Sequence, residues 1–225
     1  ETISNSNVMI NKNQTNIFIT EKKNSYLMSL ANKLKAEVVH HNNFIGGRYS
    51  VLSEVGMLPA QLMGLKPEKF RRLNQLINNK IFTNFLIQNV SNILTLTKKN
   101  KTNSVILNYD DRSTDLFNWY QQLVAESLGK KNKGILPVVS NMPRDNHSLM
   151  QYYLDGVKNH FFTFFFVKEK NSKKIKNNQI YQSHSYLKNK NLNEIAFSQF
   201  AATETVFKKK NIPYRSFVIH KRSEE

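Results

Sequence analysis

Short runs of β-branched and aromatic residues alternate along the chain with longer segments in which apolar residues recur every three or four positions. The runs predict strands, and the three- to four-residue spacing predicts helices. Alternation of the two favours an α/β fold, a mostly parallel sheet with helices on both faces. The predicted strands lie at 16–20, 37–40, 104–109, 134–140, 160–167 and 214–219.

The helical segments between these strands complete the prediction. They lie at 25–35, at 59–97 with a break at 64–67, at 113–127, at 146–154 and at 195–209. The stretch 168–193 is rich in Lys and Asn and predicts a surface connection. Because no internal repeat or interdomain linker is visible, we expect residues 1–225 to form a single α/β domain.

Composition excludes several classes of protein. The 225 residues carry 33 Lys and Arg against 16 Asp and Glu, a net charge of +17, and no Cys. Disulfide scaffolds, thiolate zinc sites and thiol nucleophiles are therefore excluded. The charge favours nucleic acid or an anionic membrane by default, but Lys and Asn are spread over every surface-like segment rather than along one stripe. The longest apolar run, 161–167, falls far short of a membrane helix. We expect a cytoplasmic protein without nucleic acid or membrane partners.

A glycine pair follows the second predicted strand. Gly46 and Gly47 allow the backbone to approach a ligand closely, and Arg48 adds a forked cation suited to a phosphate or a developing enolate. An ordinary strand-to-helix turn with an Arg in solvent has the same sequence. Gly47 and Arg48 are thus candidate binding residues.

A second candidate site lies at the C-terminal end of the predicted helix 113–127. Gln122 and Glu126 are four residues apart and share a helix face, and Gly129 is suited to end the helix. A Glu near a helix C-terminus meets the negative end of the helix dipole, which favours its neutral form and suits a general base. A solvated Glu in a polar last turn is the alternative.

A third candidate is His147, in the turn 144–149, because His changes charge near neutral pH and can act as an acid or base. Five other His residues compete with it. No spacing matches a metal site, since adjacent His40 and His41 point to opposite faces of a strand. The nucleophile elbow of serine hydrolases, a Walker loop and the dinucleotide-binding glycine fingerprint are absent from the sequence. We therefore expect no metal and no cofactor.

Taken together and in this order, the three segments resemble the glucose-6-phosphate isomerase (phosphoglucose isomerase) family. The segment 46–56, GGRYSVLSEVG, resembles the family's Gly-Gly-Arg-[Phe/Tyr]-Ser signature. The segment 126–130, ESLGK, resembles its Glu-Ser-x-Gly-Lys motif, and 145–148, DNHS, its Asp-Gln-His-Ser segment. The interval between Glu126 and His147 is similar to that of the shorter bacterial members.

The resemblance implies a sugar isomerase (SIS) domain, a flavodoxin-like sheet, and this chain would be the second of the family's two such domains. It implies interconversion of glucose 6-phosphate and fructose 6-phosphate, in glycolysis and gluconeogenesis, through a cis-enediolate. Glu126 would be the base, Arg48 would stabilise the enediolate, and Gln122 and Gly47 would contact the sugar phosphate. His147 would help to open the sugar ring and, as in the family, would be donated across a homodimer interface.

The sequence also departs from the family pattern. Glu54 replaces the usual Pro, Ala, Ser or Cys, and Asn146 replaces a Gln. The family's phosphate-binding loop would end at Glu1-Thr2, and its C-terminal active-site Lys would follow Glu225. We therefore expect a domain truncated at both ends and inactive alone. The alternatives are a non-catalytic sugar-phosphate-binding SIS module and a basic nucleic-acid-binding module.

Overall fold

Residues 16–169 and 172–221 are described by a computed structural model of the chain. The family-like ending Glu1-Thr2 lies outside them. The α-carbon positions divide the chain into two compact units, one up to Asn74 and the other from Gln75 onward. The prediction of one domain stays a prediction, and each unit is described here by itself.

In its described part, the first unit contains two parallel strands, three α-helices and one 3₁₀ helix, and a fourth α-helix begins at its last residue. Strand β1 pairs with β2 in register, with Ile17 opposite Glu37. The elements are β1 Ile17–Glu21, α1 Tyr26–Leu34, β2 Glu37–His41, a 3₁₀ helix Gly47–Leu52, α2 Glu54–Leu62, α3 Pro67–Phe70 and α4 Asn74–Ile77, whose last residues pass into the second unit.

The second unit is built on four parallel strands in the order β4-β3-β5-β6, the order of the first four strands of a flavodoxin-like sheet. Its helices and strands are α5 Lys80–Lys98, β3 Asn103–Asn108, α6 Thr114–Leu128, β4 Leu136–Asn141, α7 Arg144–Ser148, α8 Met150–Asp155, β5 His160–Val167, α9 Leu192–Lys209 and β6 Tyr214–Ile219. Short 3₁₀ helices lie at Asp111–Ser113, Asn177–Gln179 and Gln182–Leu187.

Strand β5 forms the centre of the core, and helices cover it on both sides. Phe164 and Phe162 on one face pack edge-on against Phe207 of α9, with ring centroids 5.2 and 4.8 Å apart. Phe165 on the opposite face packs against Phe117 of α6 at 4.9 Å. The predicted class, a parallel sheet with helices on both faces, is therefore confirmed in this unit.

The helix boundaries differ from the prediction where side chains cap helices. The prediction of one long helical stretch with a single break at 64–67 is wrong. Helix α2 already begins at Glu54, because the Ser53 hydroxyl accepts a hydrogen bond from the Val55 amide. Helix α5 starts afresh after Asn79, whose side chain caps the amides of Ile81 and Phe82. Within the described residues, no helix combines the length and the apolar character that a membrane crossing requires.

Candidate active site

Hydroxyl groups shape the segment that carries Arg48. The Ser50 hydroxyl donates to the Gly47 carbonyl at 2.6 Å, and the Ser53 hydroxyl donates to the Ser50 carbonyl at 2.7 Å. These bonds close a 3₁₀ helix directly before the capped start of α2. Local polar contacts therefore give this part of the first unit its conformation.

Gly47 leaves the backbone beside Arg48 open. A Cβ atom built on Gly47 would have no atom within 4 Å, whereas one built on Gly56 would lie 2.0 Å from the Val51 carbonyl oxygen. Glycine at 56 is thus required by packing, but no contact within the fold requires it at 47. The half-buried Arg48 guanidinium lies 4.8 Å from the centroid of the Tyr49 ring. The arrangement suits close approach of an anionic ligand to the backbone.

A histidine–glutamate pair, which sequence analysis missed, joins the two ends of this segment. The His41 ring places Nδ1 3.3 Å from the Glu54 carboxylate and Nε2 3.0 Å from the Ile45 carbonyl oxygen. Both partners only accept hydrogen bonds, so both ring nitrogens donate only in the imidazolium form. The bond to Ile45, together with Glu54, raises the pKa of His41. The pKa of Glu54 is in turn lowered, first by a hydrogen bond from the backbone amide of Glu54 itself and then by the hydrogen bond with His41.

A cavity of about 530 Å³ lies within the same unit, beside this pair. Its lining includes Tyr49, Ser53, Glu54 and Arg71, along with apolar side chains. The sequence carried a signal for one member of the pair, since Glu54 is an acidic residue in the first turn of α2.

In the second unit, Gln122 and Glu126 lie together as their spacing predicts. Nε2 of Gln122 is 3.5 Å from a carboxylate oxygen of Glu126, and both side chains are exposed in the last two turns of α6. The helix ends at Gly129, whose amide donates to the Ala125 carbonyl at 2.8 Å. A Cβ there would lie 2.6 Å from that carbonyl oxygen. The glycine therefore fixes the helix end that presents the exposed amide and carboxylate.

His147 lies in α7, which follows β4 closely. The buried carboxylate of Asp145 fastens α7 to the strand by accepting from the Asn141 amide at 2.8 Å, from Arg144 at 3.0 Å and from the Ser148 hydroxyl at 3.2 Å. Burial by itself would raise the pKa of Asp145, but the hydrogen bonds from Arg144 and Asn141 lower it below its ordinary value. The exposed His147 ring thus lies on a short helix that the ionised Asp145 carboxylate holds against β4.

The topology separates Glu126 from His147. Helix α6 joins the parallel neighbours β3 and β4, so its last turn lies beside the amino ends of these strands. A cavity lined by Thr102, Ala125, Leu128 and Leu136 marks this edge. His147 follows the carboxyl end of β4, and a six-residue strand spans roughly 17–20 Å. Within one chain, Glu126 therefore lies beside the amino ends of the strands and His147 beside their carboxyl ends. Arg48 and Gly47 belong to the other unit.

Metal-ligating clusters are absent from the described part of the chain. No group of three or more His, Asp or Glu side chains within residues 16–169 and 172–221 is placed to hold a metal ion.

Comparison with known proteins identifies the family. A model of the family described as phosphoglucose isomerase matches residues 11–212. A glucose-6-phosphate isomerase of Methanocaldococcus jannaschii is 34% identical over 167 residues, covering 66% of this chain and 41% of that protein. One from Shouchella clausii is 33% identical over 158 residues, covering 66% of this chain and 34% of that protein. The chain thus spans about a third to two fifths of the length of these relatives.

Two solved structures share the fold. A hypothetical protein of Thermus thermophilus superposes with a TM-score of 0.77 at 22% identity, covering 90% of this chain and 51% of that one. A glucose-6-phosphate isomerase of Chlamydia trachomatis gives a TM-score of 0.61 at 18% identity, covering 92% and 44%. With a family match that runs from residue 11 to residue 212, the chain belongs to the phosphoglucose isomerase family.

Proposed function

We propose that the chain supplies part of the active site of an enzyme that interconverts glucose 6-phosphate and fructose 6-phosphate. The observation that carries the proposal is the Gln122–Glu126 pair, held at the glycine-terminated end of α6 within a segment that matches the family. Relatives named glucose-6-phosphate isomerase support the substrate class.

Glu126 is the general base in this proposal. Its carboxylate removes the proton from C2 of the open-chain aldose, leaving a cis-enediolate, and returns the proton to C1 to give the ketose. Gln122, four residues earlier on the same face, contacts the sugar hydroxyls beside the carboxylate. The Arg48 guanidinium stabilises the negative charge that develops on the enediolate oxygen, and Gly47 allows the substrate to approach the backbone.

His147 opens the sugar ring by moving a proton between the ring oxygen and the C1 hydroxyl. A hexose phosphate is far shorter than the strand that separates His147 from Glu126 in one chain. Both residues therefore serve one substrate only if a second copy of the chain donates the histidine. A homodimer with two shared sites is the arrangement that we propose.

The phosphate-binding loop and the lysine of the family lie in this proposal outside residues 1–225. Without them the substrate phosphate is not held, and positioning contributes a large part of catalysis. We expect the 225-residue chain alone to show little turnover in a coupled assay; turnover equal to that of an intact family member would contradict this. We place the intact enzyme in the cytoplasm, as expected for glycolysis.

The test is Glu126→Gln in an extended protein, in which the family's flanking segments precede and follow residues 1–225. Gln keeps the size and the hydrogen bonds of Glu but cannot accept the C2 proton. We expect kcat to fall by about 10²- to 10⁴-fold with the fold retained. Glu68→Gln, at an exposed position in α3, is the matched control and keeps its rate.

Exchange of the substrate C2 proton with deuterated water gives the second readout. The extended protein exchanges it, and the Glu126→Gln variant does not. Near-normal turnover in that variant removes Glu126 from the mechanism. Binding of fructose 6-phosphate without exchange in the unsubstituted extended protein would instead identify a non-catalytic sugar-phosphate-binding module.

A further inference from the structure

The second unit contains a cavity of about 410 Å³ at the edge of the sheet where β3, β5 and β6 begin. None of the five residues assigned to the isomerase reaction lines it. Its polar lining includes Lys101, Asp155, Lys158, His160, Lys210 and Asn211, and its apolar wall includes Leu154, Val157, Phe162, Ile212 and Pro213.

The three lysines keep unused hydrogen-bond donors. Lys101 donates to the Lys158 carbonyl at 2.8 Å, Lys158 donates to the Leu154 carbonyl, and Lys210 pairs with Asp155 at 3.2 Å. Each of these bonds uses one of the three N–H groups of an ammonium. Among the lining residues that the structure describes, Asp155 is the one acidic side chain, so it offsets one of the three lysine charges and leaves two.

His160 lines the same cavity, and one of its ring nitrogens has no hydrogen-bond partner within the described residues. The residue is 8% exposed, and its Nδ1 lies 3.0 Å from the Val157 carbonyl oxygen, so that Nδ1 carries the proton. Rings of Tyr152, Tyr153 and Phe162 hold the imidazole in place. Burial, together with nearby Lys101 and Lys158, lowers the pKa of His160. Nε2 therefore presents a lone pair, and within the described residues no group donates to it.

We propose that this cavity binds a small phosphate monoester, at a site separate from the isomerase reaction. The compact ammonium groups suit a phosphate dianion, which they bind as point charges. Nε2 of His160 accepts a hydrogen bond from a hydroxyl of the ester. The apolar wall contacts the carbon chain, and the volume lies in the range of sites for small organic ligands.

The experiment is an NMR titration of the 225-residue chain that follows the ring nitrogens of His160. The probes are glycerol 3-phosphate, inorganic phosphate and glycerol at constant ionic strength. We expect saturable shifts of the His160 Nε2 signal with glycerol 3-phosphate, weaker binding of inorganic phosphate and none of glycerol. No saturable shift overturns the proposal. Equal affinity for inorganic phosphate and the ester overturns the assignment to an ester.

Lys101→Gln and Lys99→Gln form a matched pair that removes the same charge two residues apart. Lys101 is half-buried in the lining, whereas Lys99 is exposed and outside it. Loss of one charged hydrogen bond weakens the binding of glycerol 3-phosphate about tenfold in Lys101→Gln. Lys99→Gln stays within about twofold, because exposed charges are well screened. Equal weakening in both variants would show general charge attraction and overturn the site. Glu126→Gln leaves the titration unchanged, which separates this test from that of the isomerase function.

Discussion

The two units of the chain are stabilised in different ways. In residues 16–73 only Ala31, Ser50 and Ala60 are buried, and side-chain hydrogen bonds shape the segment that carries Arg48. The second unit has a continuous aromatic core on β5 and α9, and Glu126 and His147 lie on helices packed around its sheet. The difference teaches that Gly47 and Arg48 of the first unit are held by local polar contacts, whereas Glu126 and His147 of the second are carried on a packed scaffold.

The largest expected effect comes from opening the aromatic core. Phe164 is fully buried and contacts the rings of Phe200, Phe207 and Tyr214. Phe164→Ala should lower the free energy of unfolding of the second unit by about 3–5 kcal/mol, since it removes apolar contacts and leaves a cavity. Urea unfolding followed by the fluorescence of Trp119, the single tryptophan, measures this.

Phe44→Ala is the control in the first unit. Phe44 is 98% exposed, so its truncation should change stability by less than about 0.5 kcal/mol. Similar losses in the two variants would break the comparison, because the loss at Phe164 could then not be assigned to the burial of its ring.

A smaller effect should follow from Ser53→Ala in the first unit. The variant loses the bond to the Ser50 carbonyl and the cap on α2, worth together about 1 kcal/mol. Amide hydrogen exchange across α2 should speed up about fivefold as a result. Ser29→Ala, at an exposed position in α1 where the hydroxyl caps nothing, should leave exchange unchanged. An equal response in both variants would contradict the role of the hydroxyl bonds.

The smallest effect is a pH dependence confined to the first unit. Because the pKa of His41 is raised in the folded state, its protonated form stabilises the fold. This contribution is complete below pH 6.5, the ordinary pKa of His, and is lost as pH rises through the folded-state pKa. The pKa of Glu54 is lowered in the folded state, so its ionised form stabilises the fold. This contribution is complete above pH 4.5, the ordinary pKa of Glu, and is lost as pH falls through the folded-state pKa. Glu21 also raises the pKa of His41, and Arg71 also lowers that of Glu54. The His41–Glu54 pair therefore stabilises the fold most between about pH 4.5 and pH 6.5.

Exchange protection of β2 amides, corrected for intrinsic exchange rates, measures this dependence. Protection should fall slightly as pH rises from about 6 to about 8, and His41→Gln should abolish the change. A pH response that survives in the His41→Gln variant would show that other groups are responsible.

Elements with strong local signals were predictable from the sequence. The predicted bounds of β5 and β6 match the structure, because β5 is a run of aromatic residues and β6 is a short segment rich in aromatic and β-branched residues. The Gln122–Glu126 contact follows from helical spacing alone. The starts of α2 and α5 were missed because caps at Ser53 and Asn79 override the apolar periodicity. The His41–Glu54 pair could not be predicted, since it needs the tertiary placement of a strand end beside a helix start.

The separation of Glu126 and His147 across the sheet leads to the most direct test. In the extended protein, Glu126→Gln and His147→Asn variants are each expected to be inactive. If the two residues of one site come from different copies, dissociating and reassociating the two variants creates mixed dimers with one intact site. Turnover should then return to about a quarter of the unsubstituted level, since half of the dimers are mixed. Mixtures that stay as inactive as the separate variants would contradict a site shared between two copies.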